Sequence, residues 1–230
     1  MMTTLNVLQG LSFVDSFFPG GGFAQSFGLE TAVAEGRVTG ASDLSAYLVA
    51  LMRDGAGRLD AVALAVAHRA SADGAVDALI EADLELDAFK LAREVREGSR
   101  LMGRRYLERG AECFPQAPVA RLDEMVRRGA APGHAAPALG AVLAACGWTR
   151  RDAVAAGLYQ SAAGWVSAAL RLVPMGQREG QRVLGALLPI IDDAARDAED
   201  ASLGAMRSWT PLHDIRAMRH ARQEVRLFRS

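Results

Sequence analysis

Lysine is almost missing from this chain: among 26 basic residues Lys90 is the only one, and the rest are arginine. A P-loop of the form GxxxxGK[ST] needs a lysine to reach the β- and γ-phosphates. None stands near the glycine run at positions 20–22, so nucleotide hydrolysis by this chain is excluded. Cysteine is equally scarce. Cys113 and Cys146 are far apart in sequence and neither belongs to a CxxC pair; no disulfide framework is expected, and a reducing compartment fits. Four histidines, His68, His134, His213 and His220, never pair at i,i+3 or i,i+4, the spacings that build zinc- or nickel-type sites on a helix. His213 and His220 share a face only if the tail is helical throughout, which would allow a transient metal contact with help from a cysteine. Aromatics make up 6% and the net charge is −1. Without a stacking pattern or a basic excess, nucleic acid is not an expected partner.

Long hydrophobic runs are also few. Positions 129–149 and 153–170 carry no acid, arginine or lysine apart from their flanks, and their length raises the question of membrane insertion. They consist mainly of Ala and Gly, interrupted by Pro132, His134, Pro137, Gln160, Ser161 and Ser167, so their transfer into lipid is poor. Small-residue helices buried on all sides read the same way. The start, Met1-Met2-Thr3-Thr4-Leu5, has no basic side chain ahead of an apolar run, and no secretory leader is expected. The expectation is a cytoplasmic protein.

What is present is helical periodicity from end to end, with half the residues hydrophobic and 23% charged. The length suffices for one substantial core, and neither an internal repeat nor a low-complexity linker divides it. The chain therefore reads as an all-α, single-domain multi-helix bundle over residues 1–230, with a flexible basic tail from about 208 to 230. Pro19-Gly20-Gly21-Gly22 forms a hard break after an apolar first segment. Helices are expected over 23–35, from a Ser42-Asp43 cap to about Asp54, and over 58–69, 75–86 and 87–109. Further ones are expected over 119–128, 134–148 and 152–173, and over 177–188 up to Pro189. The two uncharged segments should form the centre of the core. In the fifth helix Phe89, Ala92, Ser99, Met102 and Tyr106 make one face; Arg93–Glu97 and Arg104–Glu108 are i,i+4 pairs on another. Asp73, Asp77, Glu81, Asp83, Glu85 and Asp87 form an acidic stretch that reads as a solvated face.

Two separated regions carry more than periodicity. Phe18-Pro19-Gly20-Gly21-Gly22-Phe23-Ala24-Gln25-Ser26-Phe27-Gly28-Leu29-Glu30 resembles the N-terminal signature of the UreF family of urease accessory proteins. Gly133-His134 with Pro137, the run Val166 to Gln177 with Gly180-Gln181, and the tail Asp214-Ile215, Met218-Arg219-His220, Gln223 and Arg226 to Ser230 are similar to its later segments. Phe18, Gly20, Gln25, Phe27, Ala221-Arg222 and Glu224-Val225 depart from the family pattern, which bears on partner affinity rather than fold. The tail also has a pattern of its own. In a continuous helix Arg216, Arg219, Arg222, Arg226 and Arg229 would align in one stripe, and Met218, Ala221, Val225 and Phe228 in another. Such a terminus can dock on a partner or pack on its own domain.

The resemblance implies an accessory protein without catalytic residues, resident metal or cofactor. It implies a homodimer that bridges a UreD/UreH-type accessory protein and the GTPase UreG during nickel delivery to the urease apoprotein, and that modulates the GTPase. Partner binding is assigned to Arg216, Arg219, His220, Gln223, Arg226, Leu227, Phe228, Arg229 and Ser230. The dimer or GTPase-facing surface is assigned to Gly21, Gly22, Phe23, Ser26, Gly28, Leu29 and Glu30. Two rivals are a paralogue scaffolding another metalloenzyme, and a small helical enzyme with a site assembled from Glu30, His134 and Asp214.

Overall fold

Eleven α-helices and two short 3₁₀ turns, with no strand, make up the computed structural model, which describes residues 2–230. In order they are α1 (Thr4–Val14), α2 (Leu29–Ala34), α3 (Ala41–Asp54), α4 (Asp60–Ala72), α5 (Val76–Phe89), α6 (Arg93–Cys113), α7 (Pro118–Arg127), α8 (Ala135–Ala145), α9 (Arg150–Leu172), α10 (Gln177–Glu199) and α11 (Pro211–His220). Among these residues no helix is long and apolar enough to cross a membrane.

Caps account for several boundaries. Thr3 and Asn6 form a reciprocal capping box on α1. Thr149 accepts from the Asp152 amide at the start of α9, and Pro118 opens α7 where its missing N–H costs nothing. The centre is α8, buried from Ala136 to Leu143, with α4 across it, buried almost all round because its charges, Asp60 and Arg69, sit at its ends. Their backbones meet at Gly140, where a Cβ would lie 2.5 Å from the Leu64 carbonyl oxygen. The long helix α9 gives the core only one face, through Leu158, Ala162 and Trp165. The two uncharged segments are thus not equal partners in the centre; α4 takes the place expected of α9.

Three other expectations are corrected. Pro189 does not end a helix: α10 runs through it. Its buried stripe, Val183, Leu184, Leu187, Ile191 and Ala195, continues past the proline, while Pro189 and Gly185 face solvent. Burial of that stripe outweighs the roughly 3 kcal/mol cost of an interior proline. The fifth predicted helix begins at Arg93, since α5 extends to Phe89 and Ala92 becomes the N-cap of α6; Arg105 rather than Arg104 reaches Glu108. The acidic stretch is not wholly solvated. Asp83 is fully buried and accepts from the Gly133 amide at 2.6 Å and the His134 amide at 2.8 Å, fastening the loop that opens α8. Asp87 pairs with Arg100 and with His134 Nε2 at 2.8 Å.

Candidate functional site: the joined N- and C-terminal motifs

The two motifs assigned to separate surfaces are one structure. Leading into it, Gly21 takes φ +79°, Phe27 +49° and Gly28 +88°, so the chain turns sharply twice before α2. At Gly28 the left-handed backbone and the close approach of α11 coincide. A Cβ there would meet that of Ala217 at 3.2 Å and its amide nitrogen at 3.3 Å. The turn delivers Glu30 to a position only 8% exposed. A buried carboxylate is stable only when fully bonded, and the tail supplies the donors. Leu227 N–H donates to Oε1 at 2.6 Å, while Phe228 N–H at 3.1 Å and His220 Nε2 at 2.8 Å donate to Oε2.

His220 is completely buried. Its other ring nitrogen, Nδ1, lies 2.7 Å from Glu94 Oε2 at the start of α6, and Arg226 holds Oε1 of the same carboxylate at 2.9 Å. The ring thus bridges two carboxylates, one at each nitrogen. Around this centre Ser26 N–H and Oγ–H both donate to the Ser230 main-chain oxygen, and Arg229 N–H donates to the Ala24 carbonyl at 2.8 Å. Gln223 reaches Thr31 Oγ1 at 3.2 Å. Arg216 and Arg219 bind the two oxygens of Glu35 at 2.8 and 3.0 Å, which holds that carboxyl below its ordinary value. Finally the Arg171 guanidinium lies between the rings of Phe23 and Phe228, 4.0 and 4.2 Å from their centroids, and donates to the Phe23 carbonyl. Late helix, glycine turn and tail converge there.

This placement corrects the picture of a free basic tail. Helix α11 stops at His220, where the Arg222 and Gln223 amides turn back to the Arg219 and His220 carbonyls; further on, the amides of Leu227 and Phe228 go to Glu30. The five arginines therefore do not form a stripe: Arg216, Arg219 and Arg226 turn to the chain's own carboxylates, while Arg222 and Arg229 have no carboxylate partner among the described residues. Phe228 and Ser230 are buried, at 4% and 2% exposure. Leu29 and Ser26 are buried as well, whereas Phe23 is 73% exposed beside the glycine turn. Of the expected apolar stripe Phe228 turns inward while Met218 and Val225 stay exposed, and the outer face of the C-terminal region is apolar through Leu212, Ile215 and Met218 of α11, with Trp209 before it and Val225 and Leu227 beyond. That stripe is readable in the sequence once the helix is known to stop at 220. Glu35 and Glu94 lie outside the motifs, since nothing local marks a carboxylate whose partner is more than a hundred residues away; Arg171 lies within the run Val166 to Gln177, but its pairing with Phe23 and Phe228 leaves no local mark.

The remaining candidates are occupied elsewhere. His134 is buried between Ser99 Oγ at 3.0 Å and Asp87; burial, with the Lys90 cation, holds it down to about 4. Burial likewise holds His213 down to about 4, and its Nδ1 lies 2.7 Å from the Tyr47 hydroxyl. His213 and His220 do not meet, and among the described residues no three His, Cys, Asp or Glu side chains are grouped to hold a metal ion. Glu30, His134 and Asp214 do not share a hydrogen-bond network: Glu30 bonds the tail, and His134 bonds Ser99 and Asp87.

The chain is thus an all-α bundle whose two signature motifs fasten it to itself, with exposed apolar residues left on the outside of its last helix. The comparisons place it further: the UreF family model matches residues 38–188, the stretch between the two joined motifs. "Urease accessory protein UreF" of Rhizobium leguminosarum bv. viciae is 38% identical over 234 residues, covering 100% of both chains. Those of Bradyrhizobium sp. (strain BTAi1 / ATCC BAA-1182) and Cereibacter sphaeroides (strain KD131 / KCTC 12085) are each 37% identical, over 96% and 98% of this chain and 90% and 98% of their own lengths. The chain belongs to the UreF family, and is a urease accessory protein rather than an enzyme.

Proposed function

We propose that this chain is a cytoplasmic homodimeric scaffold in urease maturation. It bridges a UreD/UreH-type accessory protein and the GTPase UreG, modulating the GTPase while nickel passes to the urease apoprotein. Membership of the family supports the setting. The observation that carries the scaffold reading is the outer face of α11. Leu212 is 64% exposed there, with Ile215 and Met218 on the same helix; Trp209, 81% exposed, precedes it and Val225 and Leu227 follow it, and Arg222 and Arg229 in the same tail have no carboxylate partner among the described residues. An apolar stripe flanked by uncommitted arginines fits a groove bordered by carboxylates. We assign that face to the UreD/UreH-type protein.

The test must spare the inward half of the tail. Truncation before Arg216 would remove His220, Arg226 and Phe228 from the fold, so loss of binding would be ambiguous. Leu212→Asp with Ile215→Asp alters only the outward face. In cells co-expressing the accessory set, this variant should stay folded and lose the UreD/UreH-type protein in a pull-down, with urease activity falling in parallel. Full retention of that partner by the folded variant would move the interface elsewhere.

A further inference from the structure

Cys113 and Cys146 play no part in the joined motifs, and their positions follow from how α6 and α8 pack. A Cβ added at Gly103 would run into the Gly133 carbonyl and the His134 backbone. One added at Gly110 would lie 2.7 Å from Val142 Cγ2. Both helices therefore advance in the same direction with closely matched register, Gly103 beside His134 and Gly110 beside Val142. Three residues beyond Gly110 is Cys113, the last residue of α6, and four beyond Val142 is Cys146, the C-cap of α8. Steps of three and four stay on the same helix face, so both thiols flank the seam where the helices end together. Glycine at the contact brings the two backbones closer than ordinary side chains allow, as an interhelical disulfide requires. Cys113 is exposed and Cys146 fully buried, and both are free thiols. Burial, with charge at Cys113 adding to it, pushes the Cys146 thiol up to about 12, which agrees with their nearness.

We propose that Cys113 and Cys146 are an oxidisable pair that closes into a disulfide stapling the C-terminal ends of α6 and α8 when a low-molecular-weight disulfide such as oxidised glutathione accumulates. The exposed Cys113 thiolate attacks that disulfide, forming a mixed disulfide and releasing one thiolate. Cys146 then gives up its proton and attacks the Cys113 sulfur, forming the protein disulfide and releasing the second thiol. The protein dithiol is oxidised by two electrons and the small disulfide is reduced to two thiols. Burial of Cys146 makes the second step slow, so a mixed adduct on Cys113 accumulates before it resolves. The staple lies at the far end of α6 from Glu94, about 28 Å away at the helical rise, and leaves the outer face of α11 untouched.

The full-length chain incubated with oxidised glutathione at mildly alkaline pH tests this by intact mass and thiol titration. Expected are a transient glutathione adduct, then a product lighter by two hydrogens with titratable thiols falling from two to none, and a higher Tm because the loop from 113 to 146 is closed. Cys113→Ser, an exposed change, should show neither adduct nor mass loss. A native chain that keeps both thiols, carries an unresolved adduct on Cys113, or links two chains through Cys113 would overturn the proposal. Partner binding in the pull-down above is unaffected by any of these outcomes.

Discussion

The Glu30 side chain takes part in more hydrogen bonds than that of any other residue in the N-terminal signature. Its two oxygens take donors from His220, Leu227 and Phe228, and removing one partner of a buried charged set leaves the others unpaired. Glu30→Ala should therefore cost about 3–5 kcal/mol in urea unfolding, far more than an exposed carboxylate. A double-mutant cycle with His220→Ala should show strong coupling; additive losses would mean the two residues act separately. Gly28→Ala should cost about 1–2 kcal/mol from the left-handed backbone alone, with a further penalty because α11 must move off Ala217. The type of residue needed at these positions was legible from sequence: the glycines marked turns and Glu30 stood in a signature. Their partners were not, because a hydrogen bond across 190 residues leaves no periodic trace.

At the level of helices, α-periodicity marked nearly every element, and the errors came from charge and proline. The acidic stretch looked solvated because Asp73 to Asp87 contains no basic residue. Yet Asp83 falls at i+4 from Leu79 and shares its buried face. Its burial beside His134 gives a pH dependence with opposing signs. His134, held to about 4 against an ordinary 6.5, is protonated first in the unfolded chain, so it removes stability as pH falls from 6.5 towards 4. Asp83, pushed by burial up to about 6 from 3.8, is protonated first in the folded chain, so it adds stability as pH falls through 6. A tenfold change in proton affinity between the folded and unfolded chain corresponds to about 1.4 kcal/mol. Asp83→Asn removes the second contribution and should make stability fall more steeply between pH 6 and 4 than in the parent; equal slopes would contradict the assignment. Pro189 misled for a different reason. Sequence shows its missing N–H but not that Gly185, whose carbonyl the ring crowds, faces open solvent. Pro189→Ala should raise stability by about 1–3 kcal/mol, measured by denaturant midpoint.

Across the whole molecule, an all-helical single chain was foreseeable from composition and period, and the family from its motifs. What sequence reading could not supply was that the motifs near the two ends meet. In sequence the two motifs, Gly21 to Glu30 and Arg216 to Ser230, stand near opposite ends and read as two surfaces. In the fold the inward halves of both are consumed in holding each other, and the surface left for a partner is the complementary face of α11. Under the proposed function, a tail already shaped in this way lowers the ordering cost of association.

Amide hydrogen exchange on the isolated full-length chain measures that clasp most directly. The Leu227 and Phe228 amides should be strongly protected, and protection should collapse in Glu30→Ala while α4 and α8 remain protected. Exchange of these two amides at free-peptide rates in the parent chain would show that the ends are not joined.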